Sequence, residues 1–205
     1  MENEFDGVIS KVYALYCKYG IKSVTMDDVA SELGSSKKTL YQYVNDKEHL
    51  VRLTIEYEAK LRAKHFRDLF AAKRNAILLM FDVHRYVNNM LRNFNPSMSY
   101  DLRKYYPAIF KDFSEKKRDG MMAAVKANLM KGKEEGLYRA ELDVDSVAFL
   151  HVSRIMSMFE SELFAISEYT SPVVFREVFI YHIRGIASPK GLKVLEENLD
   201  RISTY

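Results

Sequence analysis

Hydrophobic positions recur every three or four residues along almost the whole chain, the spacing that lays an apolar stripe on one face of an α-helix. Phe5, Val8, Ile9, Val12, Leu15, Tyr16 and Tyr19 draw the first stripe and predict a helix over 5–19, closed by Gly20. Ile21 and Val24 then stand ready to plug the base of a small helical unit. Met26, Val29, Ala30 and Leu33 repeat at helical spacing before Gly34, and Leu40 and Val44 mark one face of a further short helix. Behind Asn45 or Asp46 as cap, a stretch without Gly or Pro carries Leu50, Leu53, Ile55, Tyr57, Leu61, Phe66 and Leu69, which predicts one long helix over 47–72. Ile77, Leu78, Phe81, Val87 and Leu91 continue the pattern over 74–94, where Asn95-Pro96 stops it.

Tyr100, Tyr105, Tyr106, Phe110 and Phe113 fall on the next element, over 98–113, which Pro107 should kink or restart. Met121, Met122, Val125 and Leu129 form the inner face of a helix over 114–131, and Gly132 and Gly136 bracket a turn. Asp143 or Asp145 opens a helix with Val147, Phe149, Leu150, Val152, Ile155, Met156, Phe159 and Leu163. The last long helix, after Pro172, carries Val173, Val174, Phe175, Val178, Phe179, Tyr181, Ile183 and Ile186, and a short tail with Leu192, Leu195 and Leu199 follows the Ser188-Pro189 step. No alternating strand pattern and no internal repeat is present, so the expected fold is all-α with about nine helices. The final two long helices are apolar over more than one face. That predicts burial on both sides, against their own domain and against a second copy in a homodimer, with Phe159 and Phe179 at the interface. Residues 1–46 read as a small three-helix domain. Residues 47–205 read as a larger one, with 47–72 as the connecting helix.

Composition sharpens this only in part. A chain of 205 residues with 48% hydrophobic content can bury a sizeable core. Net charge is only +3, and the first fifty residues hold six Lys/Arg against eight Asp/Glu, a net of −2. Any affinity for nucleic acid must therefore come from local placement of a few lysines rather than from an overall basic field. One cysteine, Cys17, excludes an internal disulfide and a cysteine-rich metal site, and its place in an apolar helix points to inert packing. There is neither a signal-peptide pattern at the start nor an apolar run of membrane-spanning length, so no membrane association and a cytoplasmic location are expected.

The chemistry is concentrated between Thr25 and Lys47. Thr25 is a good N-cap, and Asp28 stands three residues on, where its carboxylate faces the free amides of the first turn. Gly34 suits the left-handed conformation that ends many helices, Ser35 and Ser36 make a tight turn, and Ser36 can cap the next helix. That second helix carries Lys37, Lys38, Thr39, Tyr41, Gln42 and Tyr43 around the face that Leu40 and Val44 leave free. Its first residues suit base edges in a major groove, while the hydroxyls and Lys47 suit phosphates.

These residues resemble the helix-turn-helix of the TetR family of bacterial transcription regulators. The matching features are Thr25, Val29-Ala30, Leu33-Gly34, Ser36, Thr39-Leu40-Tyr41, Tyr43 and Lys47. Two positions depart, with Ser35 where the family usually has an apolar residue and Val44 where it usually has phenylalanine. The segments Asp101-Leu102-Arg103-Lys104-Tyr105-Tyr106-Pro107 and Gly136-Leu137-Tyr138-Arg139 also recur in TetR-like sequences. The resemblance implies a ligand-responsive repressor that binds a double-stranded, palindromic DNA operator as a homodimer. It implies DNA contacts at Thr25, Ser36, Lys37, Lys38, Thr39, Tyr41, Gln42, Tyr43 and Lys47. It also implies movement of the connecting helix to change the spacing of two heads.

An effector pocket would fall among the fourth to eighth helices, from residue 47 to about 163. Its Met and aromatic content suits a small apolar or aromatic effector, with Phe81, His84, Tyr106, Phe110, Met121 and Met156 as candidate lining. Ordinary core packing accounts for the same residues, and His84 beside an apolar stripe also reads as structural. Lys116, Lys117 and Arg118 read as a solvated face. No Gly-rich phosphate loop, no His-Glu metal spacing and no Gly-flanked serine is present, so no catalytic residue, metal or cofactor is expected. The competing reading is a helical interaction module of the same fold that no longer binds DNA.

Overall fold

The computed structural model describes residues 2–92, 95–160, 168 and 171–202. Ten α-helices lie among them: α1 (Glu2–Tyr19), α2 (Met26–Glu32), α3 (Lys37–Leu40), α4 (Lys47–Ala71), α5 (Ala76–Arg92), α6 (Pro96–Tyr105), α7 (Pro107–Glu134), α8 (Val144–Glu160), α9 (Pro172–Ile186) and α10 (Pro189–Glu196). A 3-10 turn follows at Leu199–Arg201. No strand occurs among the described residues; Tyr138 and Ala187 form an isolated antiparallel bridge. The chain is all-α, as the periodicity predicts.

Two boundaries differ from the sequence expectation. Pro107 restarts the helix, one of the two outcomes the sequence allows: it is the first residue of α7, where its missing N–H costs nothing and its fixed φ suits the helix. The boundary expected near 113 is absent, and α7 runs unbroken to Glu134. The tail is likewise a true helix. The Ser188 hydroxyl accepts the Gly191 N–H at 3.1 Å and Pro189 opens α10, the combination that starts a helix efficiently.

The chain forms two compact units, one of Met1–Phe66 with Phe94–Lys116, the other of Arg67–Asn93 with Lys117–Tyr205. The first is built around Ile9, Val12 and Tyr16 of α1, Ile21 and Val24 of the following turn, and Met26, Val29 and Ala30 of α2. Leu40 and Val44 close it beneath α3, Leu50, Val51 and Ile55 come from α4, and Leu102 and Ile109 come from α6 and α7. Val44 is buried, so the smaller side chain still fills its place under the third helix. Tyr19, the last residue of the predicted α1 stripe, is instead 53% exposed, because Gly20 turns the chain there. Fully buried Leu50 illustrates the energetics: truncation to Ala at such a site costs about 2–5 kcal/mol.

The second unit packs Ala76, Ile77 and Phe81 of α5 against Leu129 of α7, Ala148 of α8, and Phe179, Ile180 and Ile183 of α9. A buried polar chain crosses it. The Tyr138 hydroxyl donates to Asn128 Oδ1 at 2.9 Å, and Asn128 Nδ2 donates to the Ala76 carbonyl at 3.0 Å. Where α10 passes the turn after α7, the backbones touch: a Cβ on Gly191 would stand 2.0 Å from the Leu137 carbonyl oxygen. No described helix is long and apolar enough to cross a membrane.

Candidate nucleic-acid interface

The segment Thr25–Lys47 folds as two short helices around a tight turn, for reasons the residues supply. Thr25 and Asp28 make a reciprocal cap. The Asp28 N–H donates to Thr25 Oγ1 at 3.1 Å, and Asp28 Oδ2 accepts the Thr25 N–H at 2.7 Å and its hydroxyl at 2.7 Å. The hydrogen bond from the Thr25 hydroxyl holds the Asp28 carboxyl below its ordinary pKa. Gly34 takes φ +60, which lets the Ser35 N–H reach the Ala30 carbonyl at 2.9 Å and reverses the chain. Ser36 then caps α3, its Oγ accepting the Thr39 N–H at 3.0 Å. The third helix is shorter than the sequence suggests. It ends at Leu40 and continues through Tyr41–Tyr43 as tighter turns, with Gln42 N–H on the Thr39 carbonyl and Tyr43 N–H on the Leu40 carbonyl.

This arrangement buries Leu40 and Val44 and turns the polar residues outward. Thr25, Ser36, Lys37, Lys38, Thr39, Gln42, Tyr41 and Tyr43 are all exposed. The structure thus brings eight of the nine candidate DNA contacts onto an accessible surface. The side chains are not equally available. Lys37 Nζ donates to Asp27 Oδ2 at 3.0 Å, which raises the lysine pKa, so the first cation of α3 is ion-paired to the first turn of α2. Lys38 is exposed and makes no ion pair with a described residue. Tyr43 leans on Phe5 of α1, the rings stacked 5.7 Å apart. The ninth candidate, Lys47, is half-buried, and its ammonium lies 3.4 Å from the Lys22 carbonyl. Burial pulls its pKa down, against the fields of Asp101 and Asp28. Two residues that sequence reasoning passes over belong to this surface: Asp27, which holds Lys37, and Lys22, exposed in the turn before α2. Asp27 stands ten positions from its partner and carries no motif that announces the pair.

The effector candidates do not form one group. Phe81 and His84 of α5 lie together in the second unit. Phe81 meets Phe179 edge-on at 5.1 Å, and His84 stacks on Phe175 at 4.4 Å and lies 4.7 Å from Phe179. His84 Nε2 is buried and has no hydrogen-bond partner among the described residues. Burial holds the His84 pKa below the ordinary histidine value, against the pull of the Phe175 backbone. Tyr106 and Phe110 pack instead against the core of the first unit. Met121 and Met156 are half-buried on α7 and α8.

The expected dimer residues also resolve differently. Phe179 faces inward, only 7% exposed, and the Phe159 side chain lies outside the described residues. The apolar surface of α8 and α9 is carried by their neighbours. Phe149, Leu150, Val173 and Tyr181 are 63–79% exposed, and Val174 joins them at 40%. Between the two helices the rings of His151 and His182 lie tilted to one another with centroids 4.0 Å apart. Cys17 is half-buried, and burial raises its thiol pKa, which fits the inert role expected of it.

Comparison with known proteins agrees with this geometry. Residues 13–53 match the family model described as bacterial regulatory proteins, tetR family. No curated protein matches the chain. Solved structures do. A transcriptional regulator from Cytophaga hutchinsonii is similar at TM-score 0.73 and 20% identity, over 90% of this chain and 99% of that one. The TetR family protein CprB from Streptomyces coelicolor, in complex with its biological operator sequence, is similar at TM-score 0.65 and 17% identity, over 98% of each chain. A gamma-butyrolactone receptor described as ArpA-like is similar at TM-score 0.65 and 17% identity, over 98% of this chain and 97% of that one.

Proposed function

We propose that this TetR-family protein is a ligand-responsive repressor that binds a palindromic DNA operator as a homodimer. The observation that carries the reading is the exposed row on α3 and the turns after it, set on a doubly capped helix-turn-helix and led by Lys37 and Lys38. Residues 1–46 are the DNA-reading domain, 47–205 the effector and dimerisation domain, and 47–72 the connection between them. The operator complex of CprB supports the first role. The gamma-butyrolactone receptor supports a small-molecule input.

Dimerisation uses the exposed apolar face of α8 and α9, where Phe149, Leu150, Val174 and Tyr181 of one copy meet those of a second about a twofold axis. The effector is small and apolar or aromatic. Phe81, His84, Phe175 and Phe179 supply aromatic walls and one unsatisfied imidazole nitrogen, a polar handle that a ligand would satisfy. The effector needs no contact with DNA; it acts to the extent that it prefers a dimer whose heads are wrongly spaced.

One observation favours a second reading, a helical interaction module of the same fold that has lost DNA binding: the net charge of −2 over residues 1–50. Repeated selection from a random duplex pool separates the two. The regulator enriches an inverted repeat with half-sites about 34–36 Å apart or a multiple of it. The interaction module enriches nothing.

A further inference from the structure

The turn between α1 and α2 is held from far along the chain. Gly20 ends α1 at φ +81, a conformation that disfavours any side chain. The Asp101 carboxylate of α6 lies directly over it: a Cβ on Gly20 would stand 2.9 Å from Asp101 Oδ2. The same oxygen accepts the Lys22 N–H at 2.8 Å. Asp101 is only 8% exposed, and a carboxylate is costly to bury unless its acceptors are used. Its surroundings fix its place. Asn95 Nδ2 donates to the Cys17 carbonyl at 2.7 Å, Lys22 Nζ donates to the Tyr105 hydroxyl at 2.8 Å, and Leu102 enters the core. From the other side of the turn, Lys47 approaches the carbonyl of the residue whose N–H Asp101 takes. Asp101 of α6 and Lys47 at the start of α4 therefore hold the turn between α1 and α2 from two sides. Three residues beyond Lys22 stands Thr25, the N-cap of α2, and α2 carries the packing on which α3 rests.

We propose that Asp101 is a positioning residue for DNA recognition. By taking the Lys22 N–H over the bare Cα of Gly20, it sets the direction in which α2 and the recognition helix leave the end of α1. The inference rests on the DNA-binding reading above. Base contacts tolerate displacement of only about 0.5 Å in the groups that make them. Phosphate contacts carry no base information, so binding to random sequence does not depend on the base-reading geometry. A loosened turn therefore costs discrimination before it costs adhesion. The role also gives Asp101, the first residue of the Asp101–Pro107 motif, a task at the turn that leads into α2.

The test uses the full chain and two probes: the duplex best enriched by the wild type from a random pool, and a random-sequence duplex of equal length. Fluorescence anisotropy gives the affinity for each, and circular dichroism at the assay temperature gives the folded fraction. Asp101→Ala should lower the ratio of selected to random affinity at least about tenfold, the scale set by misplacing one base-reading side chain. Asp101→Asn keeps an oxygen for the Lys22 N–H and should stay within about threefold of wild type. A purely structural role would lower the melting temperature and leave the ratio of the folded protein unchanged. A folded Asp101→Ala with a wild-type ratio overturns the proposal. Should that variant not fold, Asp101→Glu decides: its extra methylene cannot keep the oxygen over Gly20, and a retained ratio overturns the proposal equally. If the wild type enriches no sequence at all, the DNA-binding reading falls and takes this role with it, an outcome distinct from a ratio that merely survives the substitution.

Discussion

The pairing of Lys37 with Asp27 makes a prediction whose sign is set by geometry. In the free protein the leading cation of α3 is held at 3.0 Å by a carboxylate that is itself 72% exposed on the same surface. Binding to DNA pits phosphates and base edges against that carboxylate. Asp27→Asn releases Lys37 and removes a negative charge from the DNA face, so both selected and random duplexes should bind more tightly. The gain should be larger for the random duplex, which relies wholly on charge. In a twofold dimer the substitution acts twice. If each freed lysine neutralises one phosphate, the slope of log affinity against log salt steepens by about 1.8, at about 0.9 per phosphate. Between 50 and 200 mM salt that slope alone amounts to roughly tenfold in affinity, well within reach of anisotropy titrations at four salt concentrations.

The control is a double-mutant cycle. In a Lys37→Ala background, Asp27→Asn should no longer change the slope, because there is no cation left to free. Lys37→Ala alone should weaken binding to the selected duplex about 5–150-fold for each base edge that goes unread. Two results would refute the reasoning. One is an Asp27→Asn slope equal to wild type. The other is the same steepening in the Lys37→Ala background, which would mean that Asp27 acts through its own charge and not through Lys37.

Three further outcomes follow from the second unit. Leu150→Glu, at a position 67% exposed in the protomer, should keep the melting transition but shift the sedimentation coefficient from dimer to monomer at micromolar concentration, and an unchanged dimer would remove this face from the interface. Gly191→Ala should destabilise the protein by about 1–3 kcal/mol or more in urea unfolding, since its methyl would sit 2.0 Å from a backbone oxygen that cannot rotate away; an unchanged midpoint would contradict the packing at Leu137. Burial lowers the pKa of His151 to about 3 and of His182 to about 4, from an ordinary 6.5. The folded state therefore binds fewer protons than the unfolded one, and stability is lost as pH falls from about 6.5 toward 4, by up to about 1.4 kcal/mol per pH unit for each histidine. A His151→Gln/His182→Gln pair should flatten the stability difference between pH 7 and pH 5, and an equal difference in wild type and variant would show that these rings are not the cause.

What the sequence discloses, and what it withholds, divides along a physical line. The helix-turn-helix is legible because each of its signals is local. The Thr25–Asp28 cap, the φ that Gly34 supplies and the Ser36 cap all act within a few residues, so spacing alone predicts them. Pro107 marks a kink or a restart by the same local logic, since a proline is tolerated in both, and the structure takes the restart. The apolar positions of α8 and α9 stand out as surplus, yet their phase does not. A helix apolar on several faces has no clear stripe, so nothing in the pattern says that Phe179 turns inward while Tyr181, two residues on and about 200° around the helix, turns outward.

The effector candidates divide for a related reason. Periodicity marks Phe81 and Phe110 alike as inward-facing, but it cannot say which interior they enter, and they enter different cores. The long-range polar contacts are invisible altogether: Asp27 to Lys37 depends on a turn angle, and Asp101 to Lys22 joins residues 79 positions apart. Gly20 shows how close the second comes to view. Its position at the end of α1 already explains a glycine, and spacing points to no further cause. The carboxylate that also requires the space above it emerges only when α6 is in place. A residue with one sufficient local explanation can still be held by a second, distant constraint, and Gly20→Ala meets both at once: strain at φ +81 and a methyl 2.9 Å from Asp101 Oδ2.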